Sequence, residues 1–255
     1  MKKSFSYLLP SPKLLIFLAT FLALLLYILI KFFQITQAEQ RKLPIYSVET
    51  DKKELSLTFD SAWGTEDLEQ ILKILSDQQV CATFFVTGDW VTKNPDAVKK
   101  IFQSGHEIGN HGDCHKHMSQ LTLKSCFEEI QGCHEKVRKL LGIEMHLFRA
   151  PYGEYNNTVV EAGQKSNYDV IQWDVDSLDW KNLGTTQIIQ TTTNHKNLKN
   201  GSILLMHNGT KYTKDALESV IKILKEKGYQ FVPLSKLIKK QPYTIDSSGR
   251  QHSNS

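Results

Sequence analysis

Five short stretches of this 255-residue chain carry side chains that can do acid–base or metal chemistry. TFDSAWG (58–64) ends an apolar run on Asp60, and GNHGDCHKH (109–117) spaces His111 and His115 four residues apart. FRAPYG (148–153) sets Arg149 before a proline-fixed turn. DSLDW (176–180) sets Asp179 beside Trp180, and LLMHNG (204–209) ends an apolar run on His207. On one helical turn, two imidazoles four apart can face a single metal ion. Asp60 serves either as a helix N-cap for the segment at Thr65 or as a catalytic base. Arg149 can grip a carboxylate in bidentate fashion or form a structural salt bridge. Asp179 can orient and charge-stabilise a histidine, and Trp180 can wall a sugar groove. His207 has the proton affinity of a general acid near neutral pH. His106 and His117 read as structural or solvated.

Seven apolar runs must position these groups: 55–59, 81–87, 106–110, 145–148, 168–175, 202–206 and 229–234. Helical-period segments alternate with them, several closing on a glycine as a helix C-cap does. Strand then helix, repeated about seven times, predicts a parallel α/β fold, either a barrel or an open doubly wound sheet. The reactive residues follow five of the runs, which is where a (β/α) barrel keeps its active site. No GxGxxG follows the first run, which weighs against a nucleotide-binding sheet.

Residues 14–30, LLIFLATFLALLLYILI, are apolar on every side, and Phe32 and Phe33 extend them. This length approaches the bilayer hydrocarbon thickness. Lys2, Lys3 and Lys13 precede it, so the positive-inside rule puts residues 1–13 in the cytoplasm and the rest of the chain outside. The reading is an uncleaved anchor over 14–33; the competing one is a signal peptide cut near Thr36-Gln37-Ala38. Residues 34–51 read as a juxtamembrane stalk, 52–240 as one domain, and 241–255 as a disordered tail. The net charge of +4 suits an anionic wall or headgroup surface and gives no nucleic-acid signature. Cys81, Cys114, Cys126 and Cys133 form no CxxC pair and read as free thiols.

Taken together and in order, TFDSAWG, HGDCH, RAPYG, DSLDW and LLMH resemble the motifs of the polysaccharide deacetylases, the carbohydrate esterases with a NodB homology domain, over roughly residues 52–240. The variant TFD-x-x-WG on a short anchored chain most resembles the sporulation-associated branch. The resemblance implies a distorted (β/α)7 barrel. It implies Asp60 as base, His111 and His115 as metal ligands, Arg149 as the group steadying the base, His207 as general acid and Asp179 as the acid tuning it. It implies Trp180 and Leu205 as walls around the acetyl methyl and the Tyr152 backbone N–H as an oxyanion donor. The implied cofactor is a divalent metal, zinc first with cobalt or manganese as alternatives. The implied substrate is peptidoglycan or another N-acetylglucosamine-containing glycan, reached from the membrane.

One departure stands out. The family carries two consecutive aspartates, base then metal ligand, and the second is Ser61 here. A hydroxyl is a poor divalent-metal ligand. Water could fill the position and leave a weakly held metal, Asp113 could substitute, or the protein could bind glycan as a scaffold without hydrolysing it. Oligomeric state is open at this level.

Overall fold

The computed structural model describes residues 11–36 and 41–253. It divides into two units, residues 1–41 and 42–255. In the first, helix α1 (Pro12–Thr36) carries the apolar segment. Its stretch Pro12–Lys31 is long and apolar enough to cross a membrane, with mean hydropathy 2.6. The candidate cleavage point at Gln37-Ala38 and most of the N-terminal 1–13 segment lie outside the described residues.

The second unit is built on strands β1 (Ser47–Val48), β2 (Glu54–Ser61), β3 (Thr83–Val86), β4 (Glu107–Asn110), β5 (Leu147–Phe148), β6 (Asp169–Val170), β7 (Val175–Asp176), β8 (Ile203–His207), β9 (Gln230–Phe231), β10 (Tyr243–Ile245) and β11 (Arg250–Ser253). Around them run α2 (Leu68–Asp77), α3 (Gly88–Lys93), α4 (Pro95–Gln103), α5 (Leu123–Leu141), α6 (Asn157–Lys165), α7 (Thr185–Thr193), α8 (Thr213–Glu226) and α9 (Leu234–Leu237). The main sheet is parallel, in the order β6-β5-β4-β3-β2-β8-β7, with β9 added beside β2. It is a curled parallel sheet clothed by helices, the distorted (β/α)7 architecture. β2 reads ELSLTFDS because helices and barrel interior bury both its faces, which removes the polar alternation of a half-exposed strand. α2 buries Leu68, Ile71, Leu72 and Leu75, the i, i+3, i+4, i+7 stripe of a helix on a core. α5 starts at the Thr122 hydroxyl, which accepts from the Ser125 N–H, and stops at Gly142 in the left-handed conformation.

The register decides what shares the C-terminal rim. Asp60 on β2 lies directly opposite His207 on β8, and Asn110 opposite Phe148 carries the neighbouring loops to the same edge.

Three expectations change. The run 168–175 is two short strands, because β6 and β7 are the opposite ends of the sheet and the chain between them crosses the barrel's opening. Residues expected in a stalk help fill that opening: Ile45 bridges Ile171, Ser47 bridges Ser202, and Ile45 and Val48 are buried. The tail expected to be disordered forms β10 and β11, which with β1 make a three-stranded sheet. Its order comes from backbone pairing across some 200 residues of sequence, from Gln251, whose buried amide bonds both Lys239 N–H and C=O, and from Tyr243 and Ile245 packed on the cluster of Ile45, Val48 and Leu234. Residues 254–255 lie outside the described residues. Truncation after Lys240 is therefore expected to lower the unfolding free energy by about 1.5–3 kcal/mol, since Tyr243 and Ile245 are each half-buried and full burial is worth about 1.5–3 kcal/mol per apolar side chain. Urea denaturation checks this; an unchanged midpoint would show the tail to be idle.

All four cysteines are free, with Cys126 and Cys133 buried on α5.

Candidate active site

Asp60 is only 7% exposed, and its ionised form is held by neighbours. The Arg149 guanidinium, fully buried just after β5, donates from Nη1 to Asp60 Oδ1 at 2.7 Å and to Thr58 Oγ1 at 2.9 Å. Nη2 donates to the Gln172 carbonyl at 3.2 Å, and the guanidinium lies 4.1 Å from the Phe85 ring centroid and 5.4 Å from that of Trp173. Burial pushes the Asp60 carboxyl up, but the Arg149 charge and hydrogen bond, with His111 and His207 adding in the acidic range where they are protonated, outweigh it and hold the pKa below the usual carboxylate value. Asp60 is thus a carboxylate ready to accept a proton.

His111 is buried beside it. Its Nδ1 lies 2.8 Å from the Arg149 carbonyl, which only accepts, so Nδ1 carries the proton. Nε2 then presents a lone pair, 3.6 Å from Asp60 Oδ2. Burial depresses the His111 pKa and lowers that of His115 to about 4, so both rings are neutral at pH 7. The two ring centroids are 5.2 Å apart. The segment joining them is not the helical turn expected. It is a loop with Gly112 and His115 both at positive φ, and this conformation, not an i, i+4 spacing, turns His115 toward His111.

Across the cavity, His207 Nδ1 sits 2.7 Å from Asp179 Oδ1. Asp179 is fully buried, and its Oδ2 accepts from the His207 backbone N–H at 2.7 Å and the Thr213 hydroxyl at 2.6 Å. Burial lowers the His207 pKa, but the Asp179 hydrogen bond and charge, with Asp60 and Asp176 adding, raise it above 6.5 overall. The ring is stacked near Trp63, centroids 6.3 Å apart.

These groups line a cavity of about 460 Å³, with Trp63, Tyr152, Trp180 and Leu205 as walls. The structure thus places Asp60, His111, His115, His207, Tyr152, Trp180 and Leu205 on one cavity, with Arg149 and Asp179 directly behind Asp60 and His207. Tyr152 stands at φ 61°, its ring stacked on His117 at 4.1 Å. His106 and His117 fall outside the cavity lining: His106 accepts from the Ala82 N–H and His117 pairs with Glu154. Sequence reasoning gave no role to Trp63 or Thr213. Trp63 sits in TFDSAWG and is legible as an aromatic three residues past Asp60. Thr213 opens α8, 34 residues from Asp179, with no motif to mark it.

The implied divalent metal meets a shortage of ligands. Catalytic zinc sites use three protein donors. Among the described residues, no group of three His, Cys, Asp or Glu side chains converges to hold an ion. Ser61 is fully buried, and among the described residues its Oγ has no hydrogen-bond partner. Asp113, the candidate substitute, is turned away onto α5, where its carboxylate pairs with Lys136 at 2.6 Å. The residues present do not fit a three-ligand metal centre.

A curled (β/α)7 sheet with a carboxylate–arginine pair and a histidine–carboxylate pair on its C-terminal rim defines a hydrolase-type site. The chain belongs to the polysaccharide deacetylase family, whose model, polysaccharide deacetylase, matches residues 47–171. A peptidoglycan-N-acetylglucosamine deacetylase of Bacillus cereus is 33% identical over 201 residues, 76% of this chain and 92% of that one. The uncharacterized protein YlxY of Bacillus subtilis is 35% identical, with 76% of this chain matching 60% of its length. Wild-type BA3943 from Bacillus anthracis, described as a CE4 family pseudoenzyme, has a solved structure that superposes with TM-score 0.73 at 33% identity, covering 76% of this chain and 68% of that one. A mutant of BA3943 is described as having restored enzymatic activity.

Proposed function

We propose that this chain is a membrane-anchored N-deacetylase of peptidoglycan or a related N-acetylated glycan, working outside the cytoplasm. The observation that carries the reading is a carboxylate and a histidine side by side on β2 and β8, shifted in opposite directions: Asp60 toward its ionised form by Arg149, His207 toward its protonated form by Asp179. A water between Asp60 and the acetyl carbonyl gives its proton to Asp60 as its oxygen attacks. The Tyr152 N–H supports the oxyanion. His207 protonates the departing nitrogen as the C–N bond breaks, leaving acetate and a free amino sugar. Trp63 and Trp180 offer apolar faces to sugar rings, and Leu205 a wall to the acetyl methyl. The lysines before α1 support an N-terminus in the cytoplasm and a domain outside it. The reading places the protein in sporulation on the TFD-x-x-WG variant alone.

A second reading, a glycan-binding protein with no turnover, is favoured by one specific observation: the buried, partnerless Ser61 hydroxyl where the family carries a carboxylate. Acetate release from N-acetylated peptidoglycan, with zinc, cobalt or manganese supplied, separates the two for wild type, Asp60→Asn and Ser61→Asp. The enzyme reading expects wild-type turnover, its loss in Asp60→Asn, and a gain of about 10- to 100-fold in Ser61→Asp, the scale on which metal-site residues act. Turnover by Ser61→Asp alone makes the natural chain a binder. Silence from every variant with every metal removes the deacetylase reading.

A further inference from the structure

His115 is the least anchored member of the site. Among the described residues its ring makes no hydrogen bond; it meets His111, Trp63 and Tyr152 only by ring contacts, at centroid distances of 5.2, 5.4 and 4.4 Å. Its backbone is in the left-handed region, at φ 52°, which a residue with a Cβ does not hold without support. The support comes from α5. Glu129, buried to 3% exposure, sends Oε2 to the N–H groups of Asp113 at 3.1 Å and Cys114 at 2.9 Å, and Oε1 to Lys116 Nζ at 2.7 Å. One carboxylate thus grips the residues on both sides of His115. Asp113 adds a second attachment to the same helix through Lys136, and it lies so close to Gly132 that a Cβ there would come within 2.7 Å of its Cγ. The Asp89 N–H bonds the Asp113 carbonyl at 2.9 Å from the other side.

We propose that Glu129 is a positioning residue: a buried carboxylate on the outer helix that clamps the 112–116 loop and thereby fixes the direction of the His115 imidazole in the catalytic cavity. A carboxylate suits this role because an ionised acceptor holds two backbone N–H groups about twice as strongly as a neutral one. A purely structural Glu129 would affect the whole domain evenly. A clamp acts on His115 and spares His207, which is held by Asp179 on the far wall. The inference concerns the site described above, and its test does not need turnover.

The test is NMR of the full chain in lipid nanodiscs with ring-labelled histidine, alongside amide hydrogen exchange. In wild type, the Asp113 and Cys114 amides are expected to exchange as slowly as the buried amides of α5. In Glu129→Ala, or in Glu129→Leu, which keeps the buried volume, exchange of these two amides speeds about 10- to 150-fold, the factor for losing a hydrogen bond to a charged group. The His115 ring signal shifts and broadens, while those of His207 and His106 stay in place. Glu129→Gln, which retains one acceptor oxygen, restores the His115 signal. Fast exchange of the two amides in wild type, an unmoved His115 signal in a folded Glu129→Ala or Glu129→Leu, or equal movement of His207 overturns the proposal. Absence of acetate release from wild type would instead remove the deacetylase reading and leave the clamp standing.

Discussion

Asp60→Ala is expected to cost the fold about 3–5 kcal/mol, more than any other single change in the cavity, because it strands a buried guanidinium. Arg149 has no route to solvent: it is enclosed by Phe85, Trp173 and β2, and its Nε already lacks a partner. With Asp60 gone, only the neutral Thr58 hydroxyl and Gln172 carbonyl remain for it. Urea denaturation measures the loss. Asp60→Asn keeps an acceptor for Nη1 and should fall between alanine and wild type. Asp60→Ala combined with Arg149→Met should recover most of the loss, since the pair is costly to break but not to replace with apolar volume. If Asp60→Ala unfolds at the wild-type midpoint, the guanidinium is not dependent on this carboxylate and the account of the base is wrong.

The second large effect is on His207. Its pKa is raised in the fold, so its pairing with Asp179 stabilises the domain fully below the ordinary histidine value of 6.5, and that contribution is lost as pH rises through the higher folded value. The wild-type urea midpoint should therefore decline over the window above pH 6.5. Asp179→Asn should flatten that decline and lower the His207 pKa, because it removes the charge and leaves a neutral hydrogen bond where a charge-assisted one outweighed burial. Under the deacetylase reading the same variant, like His207→Gln, cuts acetate release by about 100- to 10,000-fold, the usual worth of a positioned general acid. An NMR titration of His207 that is identical in wild type and Asp179→Asn would contradict this arrangement.

The missing second aspartate acts on a different part of the chemistry. The two pairs to which the proposed mechanism gives proton transfer, Asp60 with Arg149 and His207 with Asp179, are both complete. Under the deacetylase reading, what Ser61 takes away is a carboxylate that could complete a metal site. Under that reading one substitution, Ser61→Asp, should have a large effect on turnover.

The line between what was legible and what was not follows the range of the interactions. Reactive residue types after strands, the helix stripes and the apolar N-terminal helix are all readable, because they rest on local order: period 3.6, continuous apolar runs, and side chains at strand ends. The five motifs were readable because each is a few residues long. The two histidines face the same cavity from a loop and not from the helical turn their spacing predicts, since a four-residue spacing also fits a loop with two residues at positive φ. Residues 243–253 looked disordered because their polar side chains hide a strand whose partner, β1, is some 200 residues earlier. Thr213 and Glu129 carried no local signal, and each acquires its role only when a helix end or helix face docks against a loop from elsewhere. The sequence by itself determined the strand–helix alternation and which groups could react. Only the tertiary structure decided their directions and neighbours: Asp60 charged against Arg149, His207 on Asp179, Ser61 without a partner, and Asp113 turned away from the histidines. These are contacts between segments far apart in the chain, whose geometry is set by register and packing and not by spacing.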